Sequence, residues 1–138
     1  MRIPSLIPAI GGALTLAAQA HAWHFLARGR GSYANHVTTG KLYTLAHEIA
    51  DKLAEPARGN GIDLSELEDL GISGRDDGGP PGTFGGPEIA SAVINTYLDT
   101  LDTLLADCRG RTTLDWLTNT VQEAQRDLNQ ILFLLELQ

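Results

Sequence analysis

The chain has 138 residues, 43% of them apolar, and a formal net charge of -7. That length suits one globular domain around one core. Ten Lys and Arg stand against 17 Asp and Glu, with no basic run or arm, which speaks against holding nucleic acid by its phosphates. The single cysteine, Cys108, rules out an intrachain disulfide framework; it is expected as a small core residue near a helix end, in a reducing compartment.

From Met1-Arg2 through Ala18, and on to Ala20-His21-Ala22, the N-terminus imitates a secretory signal and its cleavage site. Cleavage after Ala22 would remove most of a helix that reads on into the following residues, so a processed leader is not expected. Pro4, Pro8, Gly11, Gly12, Gln19 and His21 also interrupt the stretch too often for a membrane span.

The first predicted helix runs from Pro8 to about Arg28, with Leu14, Leu16, Ala17, Ala20 and Trp23 as a broad apolar face. Gly29-Arg30-Gly31 breaks it. Ser32 is the expected N-cap of a second helix from Tyr33 to about Ala57, with Val37, Leu42, Leu45, Ile49 and Leu53 on its apolar side. Pro56 should loosen or end its last turn, because proline lacks the amide donor and crowds the carbonyl four residues back.

Residues 59–86 differ in kind. Asp63 to Leu70 could form a short helix, whereas Gly71 to Gly86, with Pro80-Pro81, excludes a long regular element. This stretch reads as a crossover loop within a single domain spanning residues 1–138. A third helix starts at Pro87-Glu88, buries Ile89, Val93, Tyr97, Leu101, Leu104 and Leu105, and ends at Gly110. Thr112 or Thr113 should cap the fourth, Leu114 to about Leu137, whose stripe is Trp116, Leu117, Val121, Ala124, Leu128, Ile131 and Leu135. No strand pattern appears. The expected fold class is all-α, a four-helix bundle with one long crossover between helices two and three. Ile131 to Leu137 is apolar on nearly every side, which points to a subunit contact near the C-terminus.

Four residues of metal-ligand type fall in a spaced set: His24, His36, Asp51 and Glu55. His24 lies five residues before Gly29 and His36 five after Gly31, so an antiparallel hairpin brings the two imidazoles level. Asp51 and Glu55, four apart, share one helix face. Mixed imidazole and carboxylate sets suit iron, manganese or zinc. From position 36 to position 51 is about 22 Å at about 1.5 Å per residue, against ligand bonds of about 2 Å. One chain therefore cannot use all four at one ion. A twofold-related neighbour would bring its acids to this chain's imidazoles and form two identical sites. Taken singly, each residue has a plainer reading: a hydrogen-bonded core histidine, or a solvated acid paired with Lys52 or Arg58. His21, one turn before His24, could tune it, and His47, one turn before Asp51, could add a ligand, though packing or exposure is the ordinary role of both. Asp76-Asp77 lacks the further spaced acids that a calcium loop requires.

The set resembles the DNA-binding proteins from starved cells, the mini-ferritins of the ferritin-like superfamily. Their pattern is a His beside a Trp, a second His twelve residues on, an Asp fifteen further and a Glu four later; His24, His36, Asp51 and Glu55 fall on it without gaps. The likeness covers about Leu14 to Glu55, and helix order extends it. The chain is also similar to phage-encoded ferritin-like proteins of related pattern. The resemblance implies a ferritin-like bundle that forms homodimers sharing metal sites and then a cage-like homo-oligomer. It implies non-haem iron, one ion or a di-iron pair, held by all four residues as metal ligands and catalytic groups. There Fe(II) would be oxidised to Fe(III) and stored, in the cytoplasm or, for a phage protein, with the virion. Neither membrane nor nucleic acid is an expected partner. Several features depart from the family. Trp23 precedes His24 where the family's Trp follows, and Phe25 occupies that place. Gly40 stands where many members carry another acid, so a second iron would be held weakly. The basic tail is absent, the glycine-rich crossover is unusual, and no Glu-x-x-His pair occurs. A structural or virion-associated bundle that assembles without turnover is the alternative, and a small acidic binding module is a third.

Overall fold

In the computed structural model, residues 1–27, 32–70 and 85–137 are described, and their regular structure is all helical. Four long helices, α1 (Leu6–Leu26), α2 (Ser32–Gly59), α3 (Pro87–Cys108) and α4 (Asp115–Glu136), are accompanied by 3₁₀ turns at Ser65–Asp69 and Thr112–Leu114. The expected breaks at Gly29-Arg30-Gly31 and 71–84, including Asp76-Asp77 and Pro80-Pro81, lie outside the described residues.

α1 packs on α2 and α3, and α4 packs on α3 and α2, the α1–α2 contact being the most extensive. Successive helices α2 and α3 therefore occupy one diagonal of the bundle, and the chain crosses over between them. The α1–α2 hairpin is antiparallel. His24 meets His36 at one end, and at the other the Asp63 N–H donates to the Met1 carbonyl at 2.9 Å. All four helices feed one core, with Trp23, Leu16, Leu42, Leu53, Ile94, Leu101, Leu117 and Leu128 among its fully buried side chains. No helix of the described residues is long and apolar enough to cross a membrane. Cys108 is buried at the end of α3, as expected, and burial pushes its thiol pKa up.

Several boundaries differ from the sequence expectation. α2 continues through Pro56 to Gly59. Its end is set by Gly61, at φ +75°, where the Gly61 N–H donates to the Arg58 carbonyl and the Ile62 N–H to the Ala57 carbonyl. That pairing is a Schellman cap with its glycine at C′. Asn60 bonds the Pro56 carbonyl through both its backbone N–H and its Nδ2, so the last turn holds despite the missing proline donor. Neither Thr112 nor Thr113 caps α4; they wind a 3₁₀ turn into it, with no side-chain cap bond. On α3 the buried line is Ala90, Ile94, Tyr97, Leu101, Leu104 and Cys108, while Ile89 and Val93 are half-buried. Val37 is exposed. The short helix expected near Asp63 is the 3₁₀ turn Ser65–Asp69, opened by the Asp63 carboxylate accepting the Ser65 N–H at 2.9 Å. That bond holds the exposed Asp63 carboxyl below its ordinary pKa.

Tyr97 ties α3 to α1. Its hydroxyl donates to the Ala9 carbonyl at 2.6 Å. Gly12 makes room for the ring, since a Cβ there would lie 2.9 Å from it. Burial pushes the Tyr97 phenol well above its ordinary value of 10.0. The folded state thus favours the protonated phenol, whose contribution is complete below about pH 10 and is lost as pH rises from there. Tyr97→Phe should lower unfolding free energy by about 1 kcal/mol at neutral pH, measured by urea denaturation. It should also remove part of the stability loss above pH 10; an unchanged alkaline profile would contradict this assignment.

Candidate metal centre

His24 sits in the last turn of α1 and His36 near the start of α2. Their rings stack with centroids 3.7 Å apart and planes 21° apart. Each grips the other residue's backbone: His24 Nδ1 lies 2.7 Å from the His36 carbonyl oxygen, and His36 Nδ1 lies 2.8 Å from the His24 carbonyl oxygen. A carbonyl oxygen can only accept, so both Nδ1 atoms carry protons and donate. In each neutral ring the remaining nitrogen, Nε2, then keeps its lone pair, and neither Nε2 bonds another described residue.

The two bonds do different structural work. The His24 carbonyl is among the last four of α1, which have no partner within the helix, and the His36 ring supplies one. The His36 carbonyl lies inside α2 and also accepts the Thr39 hydroxyl at 3.2 Å. Thr39 is fully buried and bonds the Asn35 carbonyl at 2.6 Å as well. This end of the hairpin is thus held by polar contacts where the apolar core runs out.

A set of rings surrounds the pair. The edge of Tyr43 faces His24 at 5.4 Å between centroids, and His21 stacks between Tyr43 at 4.3 Å and Phe25 at 4.8 Å. Phe25 and Tyr33 are 70% and 80% exposed, so the helix ends beside the imidazoles present aromatic surface to solvent. His21, exposed itself, reaches His24 through the Tyr43 ring. Tyr43 is the residue sequence reading missed: its one signal was spacing, seven residues after His36 and so two turns along the same helix face.

Asp51 and Glu55 are exposed on α2, one turn apart. Because α2 is continuous from Ser32 to Gly59, their separation from His36 remains about 22 Å at about 1.5 Å per residue. Neither forms an ion pair with a described residue; Lys52 pairs instead with Glu123 at 3.2 Å. Among the described residues, no three His, Cys, Asp or Glu side chains of one chain come together to hold an ion. The structure therefore unites His24 with His36 and leaves Asp51 with Glu55 apart from them. His47 is exposed on α2.

Compared with family models, curated proteins and solved structures, the chain matches none of them.

Nitrogen-15 NMR should find both His24 and His36 in the Nδ1–H tautomer, and His24 should keep it in His36→Ala, which retains the backbone carbonyl that His24 donates to. An Nε2–H tautomer at either residue would refute the reciprocal bonding.

Proposed function

We propose that the chain is a ferritin-like, iron-oxidising and iron-storing protein whose metal site is shared between two copies. The observation that carries this reading is the reciprocal imidazole clasp. Histidines that bind metals commonly donate their other N–H to a backbone carbonyl, which fixes the tautomer and aims the ligating nitrogen. His24 and His36 both do so. Two imidazoles of one chain and the Asp51 and Glu55 carboxylates of the other form a donor set that suits both Fe(II) and Fe(III), the carboxylates favouring the harder ferric ion. Iron is here the substrate: two Fe(II) each give one electron to a peroxide, which takes up two protons and leaves as two waters. The crossover topology agrees with a ferritin-like bundle.

Exposed apolar side chains support assembly. Phe25 and Tyr33 flank the imidazoles, and Phe133 and Leu137, 59% and 67% exposed, stand one turn apart at the end of α4. The first pair belongs at the twofold contact and the second at a further subunit contact of a closed assembly. An assembly without turnover would use the same apolar surfaces and leave Fe(II) unoxidised.

Anaerobic loading with Fe(II), followed by peroxide or air, should give stoichiometric ferric absorbance, and His36→Ala should abolish it. Sharing is tested by complementation. A chain lacking both histidines and a chain lacking both acids are each inactive alone. Co-refolded, they should recover about a quarter of the wild-type sites, since half the dimers are mixed and each mixed dimer has one intact site of two. No recovery would overturn the shared site. Native mass spectrometry should show Phe133→Asp reducing the assembly mass; an unchanged mass would remove α4 from the subunit contact.

A further inference from the structure

We propose that Gly40 is a positioning residue: its missing side chain admits the His24 ring against α2 and so sets the aim of both imidazoles. This rests on the reading of His24 and His36 as ligands.

Gly40 is four residues after His36, so a side chain there would stand over position 36 on the same face of α2. That space is where the His24 ring lies. A Cβ at position 40 would meet His24 Nδ1 and Cε1 at 3.1 Å each. This is tighter than an ordinary contact, and His24 has little freedom to yield. Its Nδ1 is held at 2.7 Å by the His36 carbonyl, its face is stacked on His36 at 3.7 Å, and the Tyr43 edge stands beside it. A ring pushed away from α2 must lengthen the Nδ1 bond, and the larger the group at 40, the further it must go. With the bond goes the preference for the Nδ1–H tautomer, and with that the free lone pair on Nε2.

A helix interior otherwise disfavours glycine relative to alanine, so the position sacrifices helix propensity for space. Gly59, also within α2, makes a useful contrast: a Cβ there meets nothing within 4 Å. A vacant position 40 also keeps any further carboxylate away from the imidazoles of the same chain. The half-site is then composed of nitrogen donors alone, which suits borderline divalent ions such as Fe(II), Co(II) and Zn(II) better than Mg(II) or Ca(II).

The test compares Gly40→Ala, Gly40→Val and Gly59→Ala in the full chain. Nitrogen-15 NMR without metal reads the His24 tautomer, and Co(II) titration followed by visible absorption reads metal affinity. Gly40→Ala should weaken the His24 Nδ1–H signature. Gly40→Val should abolish it and lower Co(II) affinity by about tenfold or more, the usual effect of losing a partner that orients a metal-binding histidine. Gly59→Ala should change neither reading. In a His24→Ala background, Gly40→Ala should raise Tm and leave the residual Co(II) affinity where it was. That double variant separates an effect through His24 from simple damage to α2. Should Gly40→Val keep both the tautomer and the affinity, or Gly59→Ala disturb them equally, the inference is overturned. If the unaltered chain binds neither Co(II) nor Fe(II) while Gly40→Val still shifts the tautomer, the proposed iron chemistry fails and the hold of Gly40 on the ring stands.

Discussion

α1 has apolar residues on almost every side, and hiding them governs the arrangement of the other helices. A helix without a polar face has to be covered from several directions, and α1 is covered by α2, α3 and the Ser65–Asp69 turn. Close cover requires small residues. Gly12 receives the Tyr97 ring, and Gly11 lies under the Leu70 side chain. Ala9, Ala13, Ala17 and Ala20 of α1 and Ala46, Ala50 and Ala57 of α2 are all buried. Two hydroxyls carried into this interior are tied to backbone: Tyr97 to Ala9, and Thr39 to Asn35. The Leu70 contact and the Arg2–Glu66 ion pair fasten the turn over the start of α1, so the chain begins its crossover from a fixed point.

The imidazole clasp follows from where that tight hairpin stops. At the end where the chain turns back, α1 presents carbonyls without helical partners, and α2 begins a few residues later in sequence. Two side chains that can each donate one hydrogen bond and keep a lone pair suit the place better than aliphatic groups. The same bonds that finish the hairpin leave Nε2 of both rings without a partner among the described residues. If the two rings ligate a metal as proposed, fold stability and ligand geometry are carried by the same atoms, and a change in the α1–α2 packing reaches the nitrogens directly.

Helix number, order and most of the buried stripe were legible because apolar spacing at the helical period survives in all four segments. The α4 residues Leu117, Val121, Ala124, Leu128, Ile131 and Leu135 are buried as their spacing requires. Ends were less legible. Pro56 looked like a stop, but Gly61 carries the positive φ and the Schellman bonds, five residues on. Thr112 and Thr113 have the chemistry of caps, yet Leu114 takes the cap position because a 3₁₀ turn intervenes. That His24 and His36 lie level could be counted from the glycine break. Their mutual bonding could not, since it depends on ring rotation about the side-chain torsions. Gly40 looked like a lost ligand in sequence, and only the placement of the His24 ring gives its absent side chain a purpose.

In the proposed shared site, electrostatics couples the ion to the pairing of chains. Asp51 and Glu55 lie in water on the isolated chain, where a carboxylate needs no partner. Moving both against a neighbour's imidazoles and aromatic rings would strip that water away. An unpaired carboxylate in such surroundings is strongly disfavoured, and neutral imidazoles whose N–H groups already face carbonyls offer it no donor. A divalent cation reverses the sign of the interaction: two negative charges and two nitrogen lone pairs then converge on a dication. Binding that occurs only to the paired state stabilises that state by mass action. Metal binding and dimerisation would in this way reinforce each other, and the acids four residues apart on α2 would act as the part of the site that reports whether a second chain is present.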